Sequence, residues 1–368
     1  MGIRTWCSAS RCAVSCSLAR SVRQGRPTAL GGTMCTNFKT KKATDGSVVI
    51  GRSLEFPTNM PTALAALPAD YAGVGVASGG KSGKAWTASH GIVGMCAFGK
   101  PELLLDGMND AGLSAHLLYM PGGYCEYQPF KGDGSDLSEA DLIAYLLGTC
   151  SSIAEVKAAM AGVNVWGFDP GMGFAPPIHC LVHDATSSIA IEFHSDGWTI
   201  VDNPTGVGTN APYLDWHLTN LNNYVGLSNG TPAAQTVGSL TITSLGQGQG
   251  LMGLPGDFTP PARFVRAAAQ VALSDVPATG AQAEQFTMHI LNSFDMVPGI
   301  VKESFGAAGM VDEVTVWDTI CNLTGKRFAY RTVTDPTWYV VDLATTDFTK
   351  PARVQAISFT GDFAPVSI

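Results

Sequence analysis

Thr33-Met34-Cys35-Thr36-Asn37-Phe38 is where this chain changes character. Before it, residues 1–33 hold five Arg and three Cys with no Asp, Glu or Lys, and without those five arginines the net charge of −8 becomes −13. Three readings fit the basic leader: a targeting presequence, a secretory signal, or upstream sequence translated from a wrongly chosen start, with Met34 the true initiator. A secretory signal needs an unbroken apolar core, which Arg11, Arg20, Arg23 and Arg26 interrupt. The acid-free, arginine-rich composition suits an organellar presequence. Met34 standing directly before Cys35 weighs toward the third reading, because removal of an initiator Met leaves cysteine as the first residue. Residues 1–34 are thus expected to be a leader or misassigned upstream sequence, and 35–368 one catalytic domain. The compartment stays open: cytoplasmic if Met34 is the start, otherwise organellar, periplasmic or secreted.

An N-terminal cysteine joins two reactive groups in one residue. Its thiol, with an ordinary pKa of about 8.5, and its own α-amine, at about 7.7 to 8.0, let the amine act as the base for the sulfur near neutral pH. No histidine is then required.

The 368 residues, 45% apolar and 14% charged with 42 Gly and 21 Pro, exclude disorder, collagen and coiled coil. An excess of 30 acidic over 22 basic side chains, with no long basic run, argues against nucleic acid or a charge-held membrane surface as a partner. Apolar runs such as Leu142 to Leu147 fall far below the roughly 18 residues of a membrane span. Nine cysteines with no Cys-x-x-Cys pair support neither a zinc ribbon nor a redox motif, and most read as small buried hydrophobes. His179 and His183 lie in a strand-like run, where four residues span about 13 Å, too far for one metal to bridge. No metal is expected.

Working outward from Cys35, residues 35 to 38 and 46 to 52 form β-type runs around the Thr44-Asp45-Gly46-Ser47 turn, a first hairpin. Gly-punctuated apolar runs follow over residues 69 to 119. Ser138-x-x-Asp141 and Ser152-x-x-Glu155 resemble capping boxes, each opening a helix. His179 to His183 and Ser188 to Phe193 flank an Asp184-Ala185-Thr186-Ser187 turn, with a third strand at Trp198 to Val201. Helices are expected over 261 to 273 and 279 to 293, and β structure over 310 to 345 with Trp317, Phe328, Tyr330, Trp338 and Val340 as packing positions. Helices bracketed by antiparallel hairpins imply a layered α+β domain with two sheets.

Seven strings occur in one order: Met34-Cys35-Thr36; Gly51-Arg52-Ser53-Leu54-Glu55; Asp106-Gly107-Met108-Asn109-Asp110-Ala111-Gly112-Leu113; Asp202-Asn203-Pro204; Thr209-Asn210-Ala211-Pro212; Leu218-Thr219-Asn220-Leu221-Asn222-Asn223-Tyr224; and Leu254-Pro255-Gly256-Asp257-Phe258-Thr259 with Arg263-Phe264-Val265-Arg266. Together they resemble the choloylglycine hydrolase family, which holds penicillin V acylases and bile salt hydrolases, over essentially residues 35 to 360. The resemblance implies a four-layer αββα sandwich of two antiparallel sheets, the fold of N-terminal-nucleophile hydrolases. It implies hydrolysis of a linear amide C–N bond by acyl transfer, with no cofactor.

The resemblance implies Cys35 as the nucleophile, exposed by autocatalytic processing. Arg52 matches the arginine beside it, where a cation favours thiolate. Glu55 stands where many members carry Asp, one methylene longer, in place to hold the α-amine. Asn210 matches the asparagine that supplies one oxyanion donor, the Tyr119 backbone N–H the second, and Arg263 the arginine acting electrostatically on the centre. Arg266, one turn on, is expected to face elsewhere or pair with an acid. Tyr119 resembles the tyrosine of penicillin V acylases rather than the asparagine of bile salt hydrolases. The segments around Phe56, Met60, Met120 and Tyr127 correspond to loops that shape the acyl pocket. Residues 220 to 228 resemble an assembly segment of tetrameric members, with a plain surface loop as the alternative. The expected activity is penicillin V acylase-like on a small-molecule amide. Bile salt hydrolase and acyl-homoserine-lactone acylase remain alternatives, as does a non-catalytic small-molecule binding protein on the same scaffold.

Overall fold

A computed structural model describes residues 33–56, 61–121, 123–304 and 309–361. Strand β1 (Cys35–Lys39) pairs antiparallel with β2 (Val49–Phe56), so that Cys35 lies opposite Leu54 and Asn37 opposite Arg52. This hairpin is central in a six-stranded antiparallel sheet, flanked by Val207–Gly208 on one side and by Val314–Asn322, Arg327–Thr332 and Tyr339–Asp342 on the other. β2 is buried along nearly its whole length, as a strand covered on both faces must be.

The second sheet runs Gly197–Asp202, Ser188–His194, Ile178–His183, Ser114–Tyr119, Leu104–Asn109, Ile92–Ala97, β3 (Thr62–Leu67) and Arg353–Ala356. The helices α1 (Leu142–Thr149) and α2 (Ile153–Met160) cover its outer face, while α4 (Pro260–Leu273) and α5 (Gly280–Asn292) cover the first sheet. A short helix, α3 (Leu214–Asn220), packs on α4. The order is helix, sheet, sheet, helix: the αββα sandwich.

Local chemistry explains the elements that frame the site. Thr259 caps α4 by accepting the Ala262 N–H, with Pro260 and Pro261 in the first turn where no donor is lost. Thr279 caps α5 and Ser152 caps α2 in the same way. Gly51 lets α5 lie on β2: a Cβ there would come within 2.6 Å of Thr287 and 2.7 Å of the Phe38 ring. One expected cap is displaced. Ser138 ends the short strand Asp136–Ser138, and its bond with Asp141 (2.6 Å) closes a turn before α1, which begins at Leu142. A further hairpin, Gln235–Val237 with Leu240–Ile242, was not foreseen; its residues are exposed. No helix among the described residues is long and apolar enough to cross a membrane.

Candidate active site

Cys35 opens β1 at the edge of a cavity between the sheets and is buried. Its backbone N–H donates to Asn210 Oδ1 at 3.0 Å, and Arg263 reaches its carbonyl oxygen. Arg52 Nη2 lies 3.6 Å from the sulfur and donates to the Leu117 carbonyl at 2.7 Å. Burial pushes the thiol up, with Glu55 adding to the rise; Arg52, the Tyr119 backbone N–H and Arg263 act against it without reversing it. The sulfur is therefore a neutral thiol at rest, and attack needs a base to take its proton.

Asn210 is held from every side. Its Nδ2 donates to the Tyr119 carbonyl at 2.7 Å, leaving one N–H over, and its Oδ1 accepts from Arg263 as well as from Cys35. The backbone around it is pinned by two buried histidines: His179 Nε2 meets the Thr209 carbonyl at 2.8 Å and His217 Nε2 the Asn210 carbonyl at 2.9 Å. Both bonds require a proton on Nε2, and burial, which pushes His179 down to about 4 and His217 below its ordinary value, keeps the rings neutral. Arg266 instead faces the start of α4, donating to the Pro255 and Asp257 carbonyls and stacking over Phe294.

Arg52 bridges the two sheets. It lies 4.5 Å over the Trp317 ring and 3.7 Å from Asp106 on the second sheet. Thr319 of the first sheet donates to Asp106 at 2.7 Å, and His116 faces it at 3.2 Å. Burial raises the Asp106 acid, yet His116, Arg52 and Thr319 outweigh it and hold the carboxyl below its usual range. Cys321 lies alongside: donor atoms of Asp106, His116 and Cys321 fall within 4.8 Å of one another. That spacing could suit a cation, but the Arg52 charge opposes one, and burial pushes the Cys321 thiol far up, against the thiolate a metal would need.

Glu55 is fully buried, with Oε1 3.4 Å from the Thr315 hydroxyl and Oε2 unpartnered. Glu313, not anticipated from sequence, is buried beside it, with the Met34 backbone N–H directed at its carboxyl. Burial pushes each carboxyl up to about 8; Asp318 adds to the rise at Glu55, and Glu55 and Glu303 add to it at Glu313, while Arg263 pulls against both. Glu313 thus lies against the peptide just upstream of Cys35, and the Glu55 backbone N–H donates to the Met34 carbonyl at 2.9 Å.

The cavity has a volume of about 110 Å³ and an almost wholly apolar wall. Leu54, Phe56 and Tyr119 line it, together with Leu103 to Leu105, Phe98 and the residues Pro170, Met172, Phe174 and Pro176. Thr33 also lines it. Two expected pocket residues stand outside this wall: Met120 is buried, its N–H bonded to the Pro177 carbonyl, and Tyr127 braces the loop by donating to Pro176 O and accepting from Ile178 N–H. Met60 lies outside the described residues. The Gly- and Pro-rich loop over 167–177 carries Pro170, Met172, Phe174 and Pro176 of the wall, and its composition marks it as a surface loop of the kind on which binding residues concentrate.

Residues 35–355 match the model of a family described as linear amide C–N hydrolases, choloylglycine hydrolase family. A bile salt hydrolase/transferase of Lactiplantibacillus plantarum is 36% identical over 234 residues, 62% of this chain and 70% of that protein. The crystal structure of a variant conjugated bile acid hydrolase from Clostridium perfringens superposes with a TM-score of 0.78 at 26% identity, covering 90% of this chain and all of that one. Penicillin V acylase from Agrobacterium tumefaciens superposes with a TM-score of 0.70, covering 88% and 91%; at 20% identity this is a likeness of fold. The chain belongs to the choloylglycine hydrolase family of linear amide C–N hydrolases.

Proposed function

We propose that the mature protein begins at Cys35 and hydrolyses a linear amide with an apolar acyl part, in the manner of a penicillin V acylase. The observation that carries this reading is the position of the Cys35 sulfur at a cavity walled by Leu, Phe, Met and Pro side chains with Tyr119 at the reaction centre. The acyl chain enters this cavity. The Cys35 α-amine takes the thiol proton as sulfur attacks the carbonyl carbon, and the remaining Asn210 N–H and the Tyr119 N–H receive the oxyanion. The C–N bond breaks as the ammonium returns a proton to the leaving nitrogen. Water, with the amine again as base, splits the thioester and releases the carboxylic acid. Arg263 holds Asn210 and the Cys35 carbonyl in register, Arg52 faces the sulfur, and Glu55 with Glu313 holds the α-ammonium.

A second reading, bile salt hydrolase, is favoured by the relatives of that name. A steroid acid carries hydroxyls that need polar partners, which this wall scarcely offers. Processed enzyme assayed on phenoxyacetyl and decanoyl amides beside glycine-conjugated bile acids separates the two. Greater kcat/KM on the former is expected, and the reverse order overturns the substrate reading while leaving the cysteine mechanism standing. Acyl-homoserine lactones belong on the same panel. Binding without turnover of any of these would favour the non-catalytic alternative.

We also propose a homo-oligomer. Val225, Val237, Leu240 and Leu245 are exposed on α3's downstream segment and the hairpin that follows, an apolar surface of the kind that copies of a chain cover in one another.

A further inference from the structure

Apart from Cys35, Arg52 and Tyr119 at the reaction centre, the one ionisable side chain among the described residues lining the cavity is Glu139. It follows the strand Asp136–Ser138 and precedes α1, and it is 3% exposed. Its Oε2 accepts the Phe168 N–H at 2.8 Å, and its own backbone N–H also bears on the carboxyl. Burial pushes the acid up to about 8 against the pull of that N–H, with the Asp141 charge adding to the rise. At neutral pH the carboxyl keeps its proton, and because Oε2 is already an acceptor the proton sits on Oε1. An O–H in an apolar wall is a donor that lacks its acceptor.

We propose that Glu139 is a specificity residue that donates this hydrogen bond to a keto or ether oxygen carried along the acyl chain. This rests on the acyl-amide reading of the site. The preferred substrate class is then an oxygenated acyl chain rather than a plain hydrocarbon one, because a site built to hydrogen-bond a substrate oxygen discriminates against the analogue without it.

The Cys35 α-amine, Glu55 and Glu313 titrate over the same range at the reaction centre, but they act on parent and keto substrates alike and cancel in the ratio of the two. Cys125 and Tyr127, across from it, are pushed up to about 12 and beyond by burial and stay neutral. Asp141 stands at the start of α1, and Cys35, Arg52 and Tyr119 share the cavity wall. As pH rises through about 8 the Glu139 proton is lost, and with it the donor.

The test uses processed wild type, Glu139→Gln and Glu139→Leu with a decanoyl p-nitroanilide and its keto isomers, the oxygen moved carbon by carbon along the chain. Wild type is expected to favour at least one isomer over the parent by about tenfold in kcat/KM, a ratio typical of one matched hydrogen bond. Glu139→Leu should erase that ratio, and Glu139→Gln, which keeps an N–H donor, should retain it. Between pH 7 and pH 9 the wild-type ratio should fall while that of Glu139→Gln holds. The pH arm stands even if the leucine variant does not fold. Turnover of the parent with no isomer preferred, or a preference surviving in Glu139→Leu, overturns the role of Glu139 alone. If neither parent nor isomers turn over while a conjugated bile acid does, the underlying substrate reading falls with it.

Discussion

The backbone nitrogen of Cys35 donates to Asn210 Oδ1 at 3.0 Å, while the Nδ2 of the same carboxamide donates to the Tyr119 carbonyl at 2.7 Å. One side chain thus fixes both the nitrogen proposed as base and the strand that carries the proposed second oxyanion donor. Asn210→Ala is expected to lower kcat by about 10²- to 10³-fold, the effect of losing one oxyanion donor. Alkylation of Cys35 by iodoacetamide should persist. A kcat within about threefold of wild type would remove Asn210 from its role, since that is too small for a lost donor.

A chain begun at Met34 should be trimmed to Cys35, visible as a mass decrease of one methionine, and only the trimmed form should turn over an acyl amide. Cys35→Ser, with a poorer nucleophile beside the same amine, should be slow or inactive. Full activity with Met34 still attached would sink the free-amine mechanism.

Asp106 acts through Arg52, as a positioning residue. Asp106→Asn keeps the shape but leaves the buried guanidinium without a carboxylate, which is expected to cost about 3 kcal/mol in urea unfolding. The pH dependence of Cys35 alkylation should move as well, because Arg52 would no longer be held against the sulfur. Stability loss with an unchanged alkylation profile would restrict Asp106 to a structural part.

Glu55 and Glu313 retain protons up to about 8 when folded, against an ordinary value of 4.5. The folded chain therefore binds more protons than the unfolded one between those values, and the stability they contribute at low pH is lost as pH rises toward 8. Glu313→Gln cannot ionise. It should melt roughly 1–2 °C above wild type at pH 8.5, as expected for about 1 kcal/mol in a chain of this size, and close to wild type at pH 5. Identical melting curves at both pH values would show that Glu313 carries no such proton.

Tyr119→Asn should narrow the preference for phenoxyacetyl amides over glycine-conjugated bile acids by about tenfold without reversing it, since one pocket residue is worth about 1.4 kcal/mol of discrimination. No change in the ratio would remove the Tyr119 side chain from specificity.

Turns and caps revealed the first hairpin and the helices, because they are local and leave local traces, while the αββα sandwich came from the resemblance carried by the ordered motifs. The same motifs do not separate chemistry from architecture. Asn109, in the Asp106–Leu113 string, spends its side chain on the Leu147 and Cys150 carbonyls and the Gly112 and Leu113 N–H groups, tying the end of α1 to a turn. Asp106, three residues earlier, is in the inter-sheet cluster. Glu313 and Glu139 were hidden for another reason. Each is an ordinary carboxylate by type, and what makes it unusual is burial, a product of strands and loops far away in sequence. Met120 and Tyr127 sit in a segment corresponding to family loops that shape the acyl pocket, but here the Met120 N–H pairs with the Pro177 carbonyl and Tyr127 braces the loop at Pro176 and Ile178, so neither lines the cavity.

Arg52 belongs to one sheet and rests on a carbonyl and a carboxylate of the other. Its guanidinium is a rivet through the two layers, set within reach of the reacting sulfur. Any sliding of one layer over the other, even by an ångström and with every strand intact, would draw the cation away from its station. Turnover is therefore a strain gauge for the alignment of the sandwich: gentle heating or hydrostatic pressure should silence the enzyme while its circular dichroism still reports a folded chain.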